Sequence, residues 1–229
     1  MNNKIIVAID LSNLNKSIKL VKELKSEAFG FKLGHEFFYN FGIQGYKKIY
    51  KICPNIFLDL KLHDIPNTVE KGLLAISKLK PTFTTIHISG GDEMQKKSIL
   101  KNIKKTKILG VTILTSLNKD QTLKYYKQKN INNLVKKFAK YAKKNKLDGL
   151  VCSPNEIEAV RKEVGQEMLL VVPGIRLEKN SLEKKDDQKR TLNPKEAIRL
   201  GADYLVIGRP IVESKNPLKT IKEINRSIQ

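Results

Sequence analysis

The stretch Asn55-Ile-Phe-Leu-Asp59-Leu-Lys61-Leu-His63-Asp64-Ile65-Pro66-Asn67-Thr68 decides how the rest of the chain is read. It opens as a strand and ends as a loop feeding a helix. Leu58, Leu60 and Leu62 are all that a buried strand requires. Asp59 and Lys61 between them are not, because ionised groups are costly in such a place unless paired. Side chains two apart on a strand share a face, separated by about 6.5–7 Å, so Asp59 and Lys61 point the same way. Asp64 has the opposite parity and sits at the strand's exit beside Pro66. It is placed either to turn back to Lys61 or to point outward to a partner chain.

Working outward, short β-branched runs alternate with lysine-rich helical patterns along the whole chain. The predicted strands are Lys4–Ile9, Ala28–Leu33, Asn55–Leu62, Thr82–Ile88, Lys107–Leu114, Leu147–Ser153, Met168–Pro173 and Asp203–Gly208. Each is bounded by Gly, Pro, Asp, Asn or Ser, the residues that punctuate strands. Between them lie helical spacings such as Ile18, Val21, Leu24 and Leu134, Val135, Phe138, Tyr141, Ala142. Eight such units in 229 residues predict a closed (β/α)8 barrel, the TIM barrel of the α/β class. No linker or composition step divides the chain, so one domain over 1–229 is expected. A doubly wound open sheet is the structural alternative.

A barrel places its site at the carboxyl ends of the strands. Chemistry-bearing residues do collect where the apolar runs stop: Asp10, Lys32-Leu-Gly34, Asp59, Lys61 and Asp64, His87 with Gly90-Gly91, Thr115-Ser116, Pro173-Gly-Ile-Arg176, and Gly208-Arg209-Pro210. Strand 6 ends less informatively in Cys152-Ser153-Pro154. Strands 1, 2 and 3 are neighbours in a barrel, so Asp10, Lys32, Asp59 and Lys61 share one rim. Two acids and two bases compensate each other there, which is how charges survive partial desolvation. A structural ion-pair network would carry the same pattern. A Mg²⁺ site would need the carboxylates alone, and here Lys32 and Lys61 read as replacements for a metal.

The histidines are ambiguous. His63 shares parity with Asp59 and Lys61 and suits stabilising the loop; His35 opens a helix beside Glu36; His87 braces strand 4 near the double glycine. The long polar segment from Arg176 through Gln188 and Arg190 to Thr191 lies between strands 7 and 8, where connections of this length are functional or disordered. With Gly208-Arg209 it marks the place where barrels bind phosphate, and the Arg209 guanidinium supplies bidentate contacts.

Bulk properties narrow the classes. The formal charge is +21, and 40% of residues are hydrophobic, enough for a real core. The lysines are spread over nearly every predicted helix and arginine is scarce, so salt-sensitive sticking is expected and specific nucleic-acid recognition is not. No apolar run is long enough to span a bilayer, and Lys4–Asp10 lacks the features of a signal peptide; a cytoplasmic location is expected. Cys53 and Cys152 form no metal pattern or disulfide framework and read as buried thiols.

Taken together, Phe57–Thr68 resembles the signature of the orotidine 5′-phosphate decarboxylase family. The resemblance continues in order through Ala8-Ile-Asp10, Phe31-Lys32-Leu-Gly34, His87-Ile-Ser-Gly-Gly91, Val111–Ser116, Pro173–Arg176, Asp186-Asp-Gln188-Lys-Arg190 and Ile207-Gly-Arg209-Pro210. Metal-dependent relatives of the superfamily share an Asp-x-Lys-x-x-Asp element, but usually place an acid where this chain has Lys32. The resemblance implies conversion of orotidine 5′-phosphate to UMP and CO2, without metal or organic cofactor. It implies Lys61 as proton donor to C6, Asp59 against the substrate carboxylate, and Lys32, Asp59, Lys61 and Asp64 as an alternating charged network. It further implies a homodimer in which Asp64 and Thr68 serve the neighbouring subunit's site. Asp10 and Lys32 would hold the ribose, Thr115 would meet the pyrimidine, and Arg176, Gln188, Gly208 and Arg209 would enclose the phosphate.

Overall fold

Eight strands, β1 (Ile5–Ala8), β2 (Gly30–Leu33), β3 (Ile56–Leu62), β4 (Phe83–His87), β5 (Lys107–Val111), β6 (Gly149–Val151), β7 (Leu169–Pro173) and β8 (Tyr204–Ile207), each fall inside a predicted run. In the computed structural model, which describes residues 3–99, 105–175 and 192–229, they pair in parallel and in sequence order to close one barrel. The closed barrel excludes the open sheet. All eight are shorter than their predicted runs, β6 most of all. Apolar character continues past the strand ends into the loops above and below, as at Ile9, Ile88 and Ile113, all buried.

Alternation along the strands makes two cores. Ile6, Ala8, Phe57, Phe83, Leu109, Val171 and Val206 fill the barrel itself. Their sequence neighbours, such as Ile5, Val7, Leu58 and Leu205, pack outward against the helices. Phe29, Phe83 and Tyr204 cluster inside the barrel, Phe29 stacked on Phe83 with centroids 5.9 Å apart and tilted against Tyr204 at 4.3 Å. This aromatic plug closes the lower half and leaves the upper half for polar groups.

The described helices wrap the outside: α1 (Leu14–Leu24), α2 (His35–Tyr50), α3 (Pro66–Ser77), α4 (Gly91–Ser98), α5 (Lys119–Tyr126), α6 (Ile131–Lys144), α7 (Ile157–Val164), α8 (Pro194–Arg199), α9 (Arg209–Val212) and α10 (Pro217–Ser227). Their starts are capped as the residue types dictate. Asn13 and Asn130 accept from the backbone amides of Lys16 and Asn133, and Pro66 stands in the first turn of α3. In α6 the buried face comprises Ile131, Leu134, Val135, Phe138, Ala139 and Ala142, while its lysines face outward. No described helix is long and apolar enough to cross a membrane. Cys53 and Cys152 are buried and free, and burial pushes both thiols up.

One buried cation holds the floor of the barrel. Arg161 donates to the carbonyls of Gly165 (2.6 Å), Met168 (2.8 Å) and Gly201 (2.6 Å) and to the Asp203 carboxylate (2.7 Å). Met168 and Asp203 immediately precede β7 and β8, so this network ties two strand entries to α7. It lies at the end opposite the predicted site, where a residue serves stability.

Candidate functional site

The charged row forms. Lys32 Nζ lies 3.2 Å from Asp10 Oδ1 and 4.0 Å from Asp59 Oδ2, and Lys61 Nζ lies 2.7 Å from Asp59 Oδ2. Asp10, Lys32, Asp59 and Lys61 therefore alternate in sign across the upper ends of three adjacent strands. Asp59 is 7% exposed, directly above Phe57 on the same face. Lys32 and Lys61 are half-buried and Asp10 is exposed, so the row runs from the barrel interior to its rim. Gly34 lies close beside it: a Cβ there would stand 3.0 Å from Lys32 Nζ and 3.3 Å from Asp10 Oδ1, so a side chain would displace both charged ends by a few tenths of an ångström.

Burial alone would raise the Asp59 pKa. The Lys61 and Lys32 ammoniums, with hydrogen bonds from Lys61 and Thr85, outweigh it and hold the carboxyl below its ordinary value. The site keeps Asp59 ionised by pairing it twice, since one cation would leave the desolvation cost less well compensated.

The route by which Asp59 and Lys61 come together differs from the regular pleat expected. Leu58 pairs with Thr84 and Leu62 with Ile86, so Asp59, Leu60 and Lys61 stand opposite Thr85 alone. Within this bulge Lys61 has a φ of 46°, a left-handed conformation uncommon outside glycine. Bulges re-aim side chains beside active sites. Here the distortion turns Lys61 Nζ back onto Asp59 across a distance that a flat strand would have left at nearly 7 Å between side-chain origins.

Asp64 is exposed, and its carboxylate accepts the Ile65 backbone amide at 2.6 Å. It forms no salt bridge among the described residues; of the two directions left open for it, the inward turn to Lys61 is not the one adopted. Thr68 is exposed in the first turn of α3, Thr115 is half-buried in the turn after β5, and Gly208 precedes Arg209 at the start of α9. Arg176, Gln188 and the rest of the polar segment to Thr191 lie outside the described residues.

His87 ends β4, with its ring 5.2 Å from that of His63. Burial, then His63 and Lys61, pull its pKa down to about 4 against a smaller opposing pull from Asp59. It is therefore a neutral neighbour of the row at neutral pH. His35 contacts the Tyr39 hydroxyl at 3.3 Å one turn along α2, as a helix-start histidine would. Gly91 lines a crevice of about 320 Å³ with Ser89, Asp92, Gln95, Phe138 and Tyr141, between α4 and α6 and sharing no residue with the charged row.

Two residues that shape the molecule were not anticipated. Thr85 is fully buried, donates to Asp59 Oδ1 at 2.9 Å and accepts the Lys61 backbone amide at 2.9 Å. Within a run of β-formers it reads as an ordinary strand threonine. Arg161 occupies the buried stripe Ile157, Val160, Arg161, Val164 of α7; a cation at a core position of a helical period was the available signal.

The model of the orotidine 5′-phosphate decarboxylase / HUMPS family matches residues 3–224. The chain belongs to this family. Within the orotidine 5′-phosphate decarboxylase / HUMPS family it is 43% identical, over 99% of both chains, to the orotidine 5′-phosphate decarboxylase of Wolbachia pipientis subsp. Culex pipiens (strain wPip). It is 42% identical to that of Ehrlichia canis (strain Jake), covering 99% of this chain and 98% of the relative. Its fold matches the crystal structure of orotidine 5′-phosphate decarboxylase from Lactobacillus acidophilus with a TM-score of 0.82, 35% identity and 99% coverage of both chains.

Proposed function

We propose that this chain is an orotidine 5′-phosphate decarboxylase, releasing CO2 and forming UMP in the last step of de novo pyrimidine synthesis, with residues 1–229 acting as one catalytic domain in the cytoplasm. The observation that carries this reading is the alternating row Asp10, Lys32, Asp59, Lys61, in which Asp59 has an ammonium at 2.7 Å and another at 4.0 Å. The curated relatives bearing the decarboxylase name support it.

The chemistry follows from that row. Breaking the bond from C6 to the carboxylate leaves its electron pair in the ring plane, where no neighbouring π system delocalises it. An ammonium fixed beside C6 stabilises that pair electrostatically before the reaction begins, which in a water-poor site is usually the largest catalytic effect. Lys61 fills this role and then transfers its proton to C6; solvent restores the proton, so one proton is consumed for each CO2 released. Asp59 holds Lys61 in place and faces the departing carboxylate. Asp10 and Lys32 hold the ribose, and Thr115 meets the pyrimidine. Arg176, Gln188, Gly208 and Arg209 enclose the phosphate, whose binding energy is spent on orienting the distant ring.

The reaction in this reading needs no metal, because the two ammoniums that flank Asp59 oppose binding of a divalent cation there. Outward-pointing Asp64, with Thr68, supports a homodimer in which these residues complete the partner's site. Purified protein given orotidine 5′-phosphate in excess EDTA is expected to form equal amounts of UMP and CO2. A folded preparation that turns over no substrate would refute the activity, and turnover that EDTA abolishes would point to a metal-dependent relative instead.

A further inference from the structure

The bulge in β3 leaves a gap in the barrel's hydrogen-bond ladder. Three residues, Asp59, Leu60 and Lys61, stand opposite the single residue Thr85, so the Lys61 amide has no backbone carbonyl of β4 in register to accept it. The Thr85 hydroxyl takes the carbonyl's place, accepting from Lys61 N at 2.9 Å. Its own proton goes to Asp59 Oδ1, also at 2.9 Å. One fully buried hydroxyl thus holds the backbone of one proposed catalytic residue and the side chain of the other.

We propose that Thr85 is a positioning residue for the decarboxylation: from the neighbouring strand it locks the left-handed turn at Lys61 and the rotamer of Asp59, so that the ammonium meets the reacting carbon. The inference rests on the decarboxylase reading above. Three features support it. A left-handed non-glycine residue persists only where its surroundings over-determine it, and the Thr85 hydroxyl fixes the Lys61 backbone by accepting its amide. Asp59 has two carboxylate oxygens, of which Oδ2 takes Lys61 and Oδ1 takes Thr85, so neither can swing without losing a bond. The hydroxyl is also the right chemical group. A valine would fill the same space but supply neither donor nor acceptor, leaving a buried amide and a carboxylate oxygen unsatisfied.

The test is Thr85→Val beside Thr85→Ser, with two independent readouts. The first is the acid titration of the Asp59 carboxyl in the ligand-free protein, followed by carbon NMR. The charged and titratable groups facing Asp59 are Lys61 on its own strand, Lys32 on β2 with Asp10 behind it, and His87 on β4 with His63 beyond. All of these remain in Thr85→Val, so a shift reports the lost hydroxyl. Asp59 is expected to titrate at higher pH in Thr85→Val and at the wild-type position in Thr85→Ser. The second readout is turnover: kcat is expected to fall about ten-fold or more in Thr85→Val with KM changed less than about three-fold, and Thr85→Ser to restore it. A folded Thr85→Val protein with unmoved Asp59 titration and wild-type kcat would overturn the proposal, as would a lowered melting temperature with both readouts unchanged. If the wild type itself fails to decarboxylate, the functional reading falls, while the Asp59 titration still tells whether Thr85 holds the carboxylate.

Discussion

Lys61 Nζ stands 2.7 Å from Asp59 Oδ2 although the two residues are next-but-one neighbours on one strand. The contact exists because the backbone at Lys61 takes a φ of 46° inside a bulge. Among the described residues, Asp59 in turn is the only carboxylate within reach of both ammoniums of the row, Lys32 and Lys61. Asp59→Asn should therefore leave two cations facing each other, lowering kcat at least about 100-fold. Its effect on stability has a definite sign. The Asp59 carboxyl lies below its ordinary value in the folded chain, so its stabilisation is present above the unfolded value of about 3.9 and is lost as pH falls through the folded one. Urea titrations of wild type and Asp59→Asn should differ at neutral pH and converge in acid.

His87 supplies a second pH dependence, of the opposite group type. Its folded pKa is about 4 against an ordinary 6.5, so between those values the unfolded chain binds the proton more readily. The associated stability is complete above the ordinary value and declines as pH falls toward about 4. The urea midpoint of wild type should drop between neutral pH and pH about 4.5 more steeply than that of His87→Gln. Parallel declines would show that the ring is not held neutral.

Exposure of Asp64 gives the proposed dimer a direct test by complementation. Lys61→Ala and Asp64→Ala should each be inactive alone. If Asp64 serves the neighbouring subunit, a mixed dimer regains one whole site from the intact Lys61 of one chain and the intact Asp64 of the other. Random mixing in equal amounts then restores about a quarter of wild-type activity, from the symmetry of a two-fold dimer. Activity that stays at the level of the separate variants would place Asp64 in its own subunit's site.

At the opposite end of the barrel, Arg161 fixes the entries to β7 and β8 without touching the charged row. Arg161→Met should cost about 2–3 kcal/mol, since buried carbonyls lose their donor while the partly exposed Asp203 regains water. A fall in melting temperature of about 5–10 °C with kcat unchanged is the expected pattern. Lost turnover in a protein of wild-type stability would assign Arg161 a different role.

Most of the architecture was legible because β-branched runs punctuated by Gly, Pro, Asp and Asn leave few alternatives to strands, and their number and spacing close a barrel. The rim charges were legible for a related reason: Asp59 and Lys61 are out of place in a buried strand, so their presence demanded a partner. The bulge was not, since no glycine marks it and left-handed Lys61 looks like any strand residue. Without the bulge, Thr85 has no reason to be singled out from Thr84 beside it; only pairing across strands shows that it alone faces three residues. Arg161 was hidden by the habit of reading cations on helices as solvated, although its place between Val160 and Val164 puts it on the buried face.

The central claim is that the Lys61 ammonium, not binding of the phosphate or ribose, carries the chemical step. It is tested most directly by measuring kcat for orotidine 5′-phosphate and the dissociation constant for UMP in wild type and Lys61→Ala. A drop in kcat of at least about 1,000-fold, combining lost charge stabilisation with a lost proton donor, with UMP affinity within about ten-fold of wild type, is the expected result. A Lys61→Ala enzyme with kcat within about ten-fold of wild type would contradict it.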